Sequence, residues 1–282
     1  MPDHLEGSMT ARRERWRSTW PTMPHADLEQ YLRRIGYQHP PVDLGSLVTA
    51  HLHAFPFVSI PHRPVESMDH AIHTACHEFS VGDCFFNSIV FRAALDRLGY
   101  TVHAALARPL PPGYEDCTLP PTHAILIAYT AGTQYLIDVG FGVDGPRVAV
   151  PLDGAMVENV ASQQGWWVGD DGDGQFTLHY RHCAESRPLY TFTAEPVAPA
   201  DYHAMSFYAS NATDSPLSST VVLHMLTPTG GIRFSNKTVD RRHADQLTRH
   251  TIGNTDLEDF LRTEIGIQNA AIRTQITAEL RS

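Results

Sequence analysis

The sequence predicts an α+β fold, and three observations support this prediction. The first third of the chain carries apolar residues at helical spacing. The middle third carries short β-branched and apolar runs separated by proline and glycine, and the last third mixes both patterns. The chain has 282 residues, of which 42% are hydrophobic, enough for one large domain or two to three small ones. We therefore expect helices first, then an antiparallel sheet or barrel, then an α/β region.

Helices are predicted where apolar residues recur every three or four positions, at residues 26–35, 43–54 and 85–98. Asp43 and Asp83 stand where they can cap the second and third helices. Gly36 and Gly99 can end the first and the third, because glycine adopts the left-handed conformation found there. Cys84 stands directly before the third of these predicted helices.

Strands are predicted in the middle third, at residues 100–107, 123–129, 134–139, 166–167, 176–180 and 189–192. Proline and glycine clusters separate them, which is typical of an antiparallel sheet or barrel. The last third predicts a hairpin and a helix, at residues 220–226 with 231–234 and at residues 257–265.

The net charge of −10 argues against nucleic acid and anionic membranes as partners. No apolar run is long enough to span a bilayer, and the polar start of the chain shows no secretory signal. Residues 1–8, ahead of Met9, resemble a cloning remnant. Of the 21 basic residues all but Lys237 are arginine, a bias typical of a GC-rich, bacterial genome. We expect a cytoplasmic bacterial protein.

The four cysteines, Cys76, Cys84, Cys117 and Cys183, are expected to be reduced thiols, one of which can be a nucleophile. Cys84 opens a predicted helix, where free backbone N–H groups and the helix dipole favour a thiolate. Such a position can lower a cysteine pKa from about 8.5 to roughly 4–7. A buried structural cysteine is the alternative interpretation.

His123 and Asp138 are candidates to serve this thiol. His123 opens one predicted strand and Asp138 closes the next, 15 residues later, beyond a turn at residues 130–132. A carboxylate inside an apolar run is costly unless it is paired. If the two strands are neighbours, Asp138 can orient His123, and His123 can take the proton of Cys84, as in a cysteine triad.

At this point the sequence resembles the arylamine N-acetyltransferase family along nearly its whole length. The resemblance begins with Tyr-Leu-Arg-Arg-Ile-Gly at residues 31–36 and strengthens at Gly-Asp-Cys-Phe, residues 82–85. His123 lies in a Thr-His-Ala-Ile-Leu strand like the family histidine. Ile-Asp-Val-Gly-Phe-Gly at residues 137–142 matches the family's aspartate motif, and Leu-Glu-Asp-Phe at residues 257–260 fits its third domain.

The resemblance implies a fold and an activity. The fold has a helical bundle with the nucleophile (residues 9–98), an antiparallel β-barrel with the histidine and aspartate (99–205) and an α/β lid (206–282), around a cysteine-protease-like core. Such an enzyme forms an acetyl-cysteine from acetyl-CoA and passes the acetyl group to an aromatic amine or hydrazine. It holds no permanent cofactor. Some relatives are amide synthases of secondary metabolism, whose acyl donor sits on an acyl carrier protein.

The resemblance also implies a substrate pocket. Its aromatic wall is expected at Phe57, Phe141 and Phe207, although core packing is the alternative for each. An oxyanion formed during acyl transfer would be stabilised by backbone N–H groups of Cys84 and of a residue near Gly140. The full set of residues expected in the pocket is Phe57, Phe85, Val139, Gly140, Phe141, Gly142 and Phe207.

The sequence departs from the family pattern around the nucleophile. The family's Arg-Gly-Gly-x-Cys-Phe-Glu stands here as Ser-Val-Gly-Asp-Cys-Phe-Phe, residues 80–86, and its Pro-Phe-Glu-Asn as Pro-Phe-Val-Ser, residues 56–59. Charges of both signs are lost together, which indicates that a polar network has been replaced by apolar groups. If Phe86 lines the pocket, we expect an acyl or aryl donor larger than acetyl; if it faces the bundle core, the change affects packing alone.

Three other functions stay open from the residues alone. A thiol hydrolase or a transglutaminase-like enzyme would use the same triad, and a binding module could keep the fold without the activity.

The run His73-x-x-Cys76-His77 looks like a fragment of a metal site, but it lacks a second pair at zinc spacing. We therefore expect no metal.

Overall fold

The computed structural model describes residues 19–37, 43–112 and 119–281, so Cys117 lies outside the described residues. Within these ranges most helices come first, the barrel strands follow, and the last third contains both, as the sequence predicts. The α-helices are α1 His25–Arg34, α2 Leu44–Ala54, α3 Met68–His77, α4 Cys84–Arg97, α5 Pro199–Asn211, α6 Leu257–Thr263 and α7 Ala270–Glu279.

The strands fall into two groups, one in the middle of the chain and one near its end, with β1 as an early outlier. Short 3₁₀ helices occupy Val160–Ser162 and Pro216–Ser218. The strands are β1 Phe57–Ser59, β2 Thr101–Pro109, β3 His123–Thr130, β4 Thr133–Ile137, β5 Val150–Pro151, β6 Val157–Asn159, β7 Gln164–Gly172, β8 Gln175–His182, β9 Glu185–Thr193, β10 Val222–Thr227, β11 Gly230–Ser235, β12 Thr238–His243 and β13 Gln246–Thr251.

The predicted helix caps are confirmed. A carboxylate oxygen of Asp43 accepts a hydrogen bond from the Ser46 N–H at 3.0 Å, and Asp83 accepts one from the Phe86 N–H at 3.1 Å. These bonds satisfy N–H groups that a helix start leaves without an intrahelical partner. Gly99 follows the end of α4. Its φ of +89° is the left-handed conformation that glycine tolerates and that terminates a helix.

Eight strands form an antiparallel sheet in the order β5-β4-β3-β2-β9-β8-β7-β6, which curls into a nearly closed barrel because β5 also approaches β7. The predicted α+β fold with a central antiparallel barrel is therefore confirmed. Strand β2 lies between β3 and β9, and its Ala107 pairs with His123 on one side and Phe192 on the other. This register brings the start of β3 and the end of β9 to the same rim of the barrel.

A second sheet, in the order β1-β10-β11-β12-β13, joins the two ends of the chain. Strand β1 pairs with β10, so that Phe57 faces His224 across the ladder. The N–H of Val58 also donates to the carbonyl oxygen of Gly82 at 2.8 Å. Since Gly82 directly precedes the start of α4, this bond ties the lid sheet to the segment that carries Cys84.

Three apolar cores hold these parts together. The first packs α1 to α4 against the outer face of β2 and β3 around Phe91, and the second lies between the five-stranded sheet and α6 and α7. There the rings of Phe234 and Phe260 are 5.6 Å apart. The third fills the barrel around Trp166, whose indole N–H donates to the carbonyl of Asp144 at 2.8 Å. Burial of this apolar surface is the main stabilising contribution.

Several elements were not predicted from the sequence: α3, α5, α7, β1, β5, β6, β12 and β13. All six residues of β13 are exposed, so it has no alternation of apolar and polar side chains. Helix α5 spans the predicted boundary between residues 205 and 206, and the division of the chain into three parts stays a prediction. No helix in the described ranges combines the length and apolar character needed to cross a membrane.

Candidate active site

Cys84 is the first residue of α4 and is only 2% exposed. Burial raises the pKa of its thiol well above the ordinary value, and the charges of Asp83 and Asp138 act in the same direction. Hydrogen bonds from the backbone of Ala124 and Phe85 oppose the rise. The backbone groups at the helix start lower the thiol pKa less than burial raises it, so the net shift is upward, opposite to the expectation from sequence.

The structure brings His123 and Asp138 together. His123 is the first residue of β3, Asp138 follows the end of β4, and the two strands pair in antiparallel register. His123 Nε2 lies 2.8 Å from Asp138 Oδ2, and both side chains are buried. Because Nε2 is engaged, Nδ1 is the ring nitrogen that remains for proton transfer with the thiol.

The Asp138 carboxylate has four hydrogen-bond donors. Its Oδ2 accepts from His123 and from the Tyr190 hydroxyl, the latter at 2.8 Å. Its Oδ1 accepts from the backbone N–H groups of Gly140 at 2.9 Å and Phe141 at 3.0 Å. Burial, together with the charge of Asp138, raises the pKa of Tyr190 well above 10, so its phenol stays protonated and donates. The buried charge is thus fully satisfied.

The N–H groups of Gly140 and Phe141 serve Asp138, so they are not available as oxyanion donors near Gly140. The backbone of Gly140 has a different role, which is to let the barrel approach the nucleophile. A Cβ atom added at Gly140 would lie 2.5 Å from the Cα of Cys84 and 2.6 Å from its Cβ. Only glycine allows this contact between the loop after β4 and the start of α4.

A cavity of about 220 Å³ opens beside the thiol. Of the residues expected in the pocket, Phe57, Gly140 and Phe141 line it. Cys84 and His123 line it as well. The full lining comprises Phe57, Cys84, Pro109, Thr122, His123, Gly140, Phe141, Ser215, Pro216, Leu217, Val222 and His224.

The other four residues expected in the pocket lie elsewhere. Phe85 is fully buried and packs edge-on against Tyr202, with ring centroids 5.0 Å apart, and Val139 belongs to the same core. Phe207 is 57% exposed on the surface of α5. Gly142 packs against the ring of His224: a Cβ added at Gly142 would lie 1.7 Å from His224 Nδ1. An aromatic residue on a short motif cannot be assigned to a wall or a core from sequence alone.

Sequence reasoning missed Tyr190 and His224. His224 is partly buried in the cavity wall, and its Nδ1 accepts a hydrogen bond from the N–H of Val143 at 3.2 Å. Burial lowers the pKa of His224 to about 3, so the ring is neutral and carries its proton on Nε2. Neither residue stands in a motif that marks it, because pairing between β1 and β10 and between β2 and β9 puts them there.

Phe86 faces away from the cavity beside Cys84. It belongs to the core of the helical region and lines a second cavity, of about 270 Å³, together with Val58, Ser80 and Val81. No lining residue is shared between the two cavities. Four of the positions at which the sequence departs from the family therefore line the second cavity, whereas Ser59 does not, and Phe86 gives no support to a larger acyl donor.

Gly82 is the motif glycine that this chain retains, and the structure gives the reason. A Cβ added at Gly82 would lie 2.6 Å from the Cβ of Phe86, so any side chain at position 86 requires glycine at 82. The preceding motif position holds Val81, which packs in the core beneath the lid sheet.

Comparisons with known proteins agree with this geometry. A family model described as N-acetyltransferase matches residues 43–273. An arylamine N-acetyltransferase of Mycolicibacterium smegmatis is 29% identical over 239 residues, covering 79% of this chain and 86% of the relative. The chain belongs to the arylamine N-acetyltransferase family. It is accordingly an acyltransferase.

Solved structures of the arylamine N-acetyltransferase family share the fold. The arylamine N-acetyltransferase from M. tuberculosis superposes with a TM-score of 0.82 at 25% identity, covering 90% of this chain and 100% of that one. The enzyme of Mycobacterium marinum in complex with CoA superposes with a TM-score of 0.79 at 22% identity, covering 90% and 98%. The bundle, barrel and lid of this acyltransferase are thus those of its family.

Replacement of Gly140 by alanine should disturb the nucleophile. The added Cβ overlaps the Cα of Cys84, and overpacking of this kind costs about 1–3 kcal/mol. We expect Gly140→Ala to lower the free energy of unfolding and to slow acylation of Cys84, measured by urea denaturation and intact-mass kinetics. Gly253→Ala is the control, because its nearest atoms would be 3.7 Å away. Equal behaviour of the two variants would contradict the close approach.

Asp83 should make stability depend on pH near neutrality. Burial raises the pKa of its carboxyl to about 6 from 3.8, so its contribution to stability is present below pH 3.8 and is lost as the pH rises through 6. Asparagine also caps helices but does not titrate. We expect Asp83→Asn to gain stability relative to the parent protein between pH 4 and 7, on the order of 3 kcal/mol, in urea denaturation.

Asp43→Asn is the matched control for this experiment, because Asp43 also caps a helix. Hydrogen bonds from the side chain and backbone of Ser46 lower the pKa of Asp43, so the sign is opposite. Asp43→Asn should lose stability relative to the parent protein as the pH rises through the acid range. A pH-independent difference for Asp83→Asn would show that folding does not raise the pKa of Asp83.

Proposed function

We propose that this acyltransferase moves an acetyl group from a CoA thioester to an aromatic amine, through an acyl-cysteine on Cys84. The observation that carries the proposal is the buried hydrogen bond between His123 and Asp138 at the cavity that Cys84 also lines. A nucleophile, a base and an orienting acid in one cavity are the requirements for covalent acyl transfer.

In the first half-reaction, His123 Nδ1 takes the proton of the Cys84 thiol, which burial otherwise keeps protonated. The thiolate attacks the thioester carbonyl, and the backbone N–H of Cys84 at the helix start is the proposed oxyanion donor. The bond from the carbonyl carbon to the CoA sulfur breaks, and the CoA thiolate takes the proton from the imidazolium of His123. Asp138 stabilises that imidazolium through its bond to Nε2.

In the second half-reaction, the amine attacks the acyl-cysteine while His123 accepts an amine proton and returns it to the sulfur of Cys84. The result is an amide and a free thiol, so atoms and protons balance. The apolar cavity wall suits an aromatic acceptor, since Phe57 and Phe141 offer ring surfaces. A neutral His224 adds one N–H donor to an otherwise apolar wall.

Three considerations favour acetyl as the acyl group. The cavity of about 220 Å³ is small. Phe86, the residue whose identity suggested a larger donor, lines the other cavity. A structural neighbour from Mycobacterium marinum holds CoA. A carrier-protein thioester as donor, amide synthesis with a larger acyl group, and hydrolysis are the alternatives that the second experiment below separates.

Removal of the charge at Asp138 should nearly abolish the activity. An asparagine offers one acceptor and one donor group, so its amide N–H would face either His123 and Tyr190 or the two backbone N–H groups. We expect Asp138→Asn to lose about a hundredfold or more in kcat/KM, on the order of 3 kcal/mol.

Tyr190→Phe is the matched control for Asp138→Asn, because it removes one donor but keeps the carboxylate. A net hydrogen bond to a charged group contributes about 1.5–3 kcal/mol, so Tyr190→Phe should lose distinctly less activity than Asp138→Asn. Steady-state kinetics with an arylamine acceptor measure both. An Asp138→Asn variant within about threefold of the parent would refute the orienting role.

Cys84 should carry the acyl group. Incubation with acetyl-CoA, longer and aromatic acyl-CoAs, and acyl-carrier thioesters should add the mass of an acetyl group, preferentially from acetyl-CoA, as read by intact-mass spectrometry. Cys84→Ser should abolish this addition, since a serine hydroxyl stays protonated there. Cys183→Ser, at an exposed cysteine, should leave it unchanged. Preference for a carrier thioester, or release of free acid without an amine, would replace the proposal by one of its alternatives.

A further inference from the structure

Three metal-ligating side chains meet on the surface of the helical region, away from the cavity beside Cys84. They are Asp27 on α1 and His73 and His77 on α3, and their nearest ligand atoms all lie within 4.8 Å of one another. The sequence shows only the two histidines of this group. The carboxylate comes from a helix about fifty residues earlier, which is why spacing along the chain does not reveal it.

The two histidines occupy positions i and i+4 of one helix, so their rings project from the same face. Their ring centroids are 4.7 Å apart, with 35° between the planes. This arrangement presents two imidazole nitrogens to one point, as helical metal sites do. Cys76, between them in sequence, is buried against the core and is not part of the cluster.

Asp27 completes the cluster from the neighbouring helix. Its Oδ1 lies 2.8 Å from His77 Nε2, and its side chain is 14% exposed against 35% for that of His77. The pair is therefore already held in place, half-buried in the groove between α1 and α3. A hydrogen bond between Asp27 and His77 does not account for His73, which offers a third ligand at the solvent-facing side.

We propose that Asp27, His73 and His77 bind one divalent transition-metal ion of the zinc type. Two imidazole nitrogens and one carboxylate oxygen suit Zn²⁺, Co²⁺ or Ni²⁺ and leave the remaining coordination positions to water. Binding requires modest side-chain movement, since ligand atoms around Zn²⁺ are about 3.3 Å apart. Exposure of both histidines gives the ion a direct path from solvent.

The ion would join α1 to α3 and so reinforce an existing link. Arg34, the last residue of α1, donates from Nη1 to the carbonyl oxygens of Ala75 at 2.6 Å and Ser80 at 2.9 Å. This contact fastens α1 to the end of α3 and to the segment that leads to Cys84. The metal site would fasten the same two helices nearer the start of α1. Its role is structural, and it takes no part in acyl transfer.

The test is Zn²⁺ titration of the untagged protein by calorimetry, with thermal unfolding followed in parallel. We expect one Zn²⁺ per chain and a rise in Tm that EDTA reverses, since an ion that binds the folded state stabilises it by mass action. His73→Ala should weaken binding by about tenfold or more while leaving the bond between Asp27 and His77 in place. Asp27→Asn should weaken it as well.

Two controls separate this site from other metal ligands. His70→Ala removes an exposed histidine of the same helix that is outside the cluster, and it should bind Zn²⁺ as the parent does. Cys84→Ser should also bind equally, which excludes zinc held by the nucleophile. Equal affinity in His73→Ala, or no Tm rise with Zn²⁺ at about a hundredfold excess over protein, would overturn the proposal without bearing on acyl transfer.

Discussion

A single negative charge, taken out of water at Asp138, fixes the arrangement of the site. An unpaired carboxylate at that depth would be strongly destabilising, and the four donors together offset this cost. They come from the start of β3, the end of β9 and the loop that follows β4. The barrel has to curl until these three places meet, and the same curling aims His123 at the cavity. Stability and the placement of His123 thus have one cause.

The second constraint is the contact of Gly140 with Cys84, where backbone meets backbone without room for a side chain. It sets the distance between the barrel and α4. On the opposite side of α4, the bond from Val58 to Gly82 connects the helix start to the lid sheet. The start of α4, with Cys84, therefore contacts both the barrel and the segment that pairs with the lid sheet. Its thiol is buried, and burial raises its pKa well above the ordinary value.

Much of this architecture could be predicted from sequence, because local signals mark it. Asp43 and Asp83 stand at helix starts, and apolar runs mark β2 to β4. The pairing of His123 with Asp138 follows from two adjacent strands and one turn. The polar strand β13 carries no such signal, because none of its side chains is buried. Its position depends on the ladder beside it.

The rest of the site depends on contacts that are distant in sequence. Tyr190 reaches Asp138 across 52 residues, and His224 meets Phe57 through the pairing of β1 with β10. The pKa of Cys84 is likewise set by burial, which no motif reports. Motif spacing predicts which residues take part in the chemistry. The pKa values of the site residues, and the residues that line the cavity around them, follow from tertiary packing.

The pairing of β1 with β10 also has a consequence for how the chain folds. Residues 57–59 emerge early in synthesis, but their partners, residues 222–224, emerge about three quarters of the way along the chain. Until then β1 is an open edge, able to pair with other chains. The closure of so long a loop belongs to the slow, late steps of folding. A chain truncated ahead of β10 would therefore keep this edge of β1 without its partner strand.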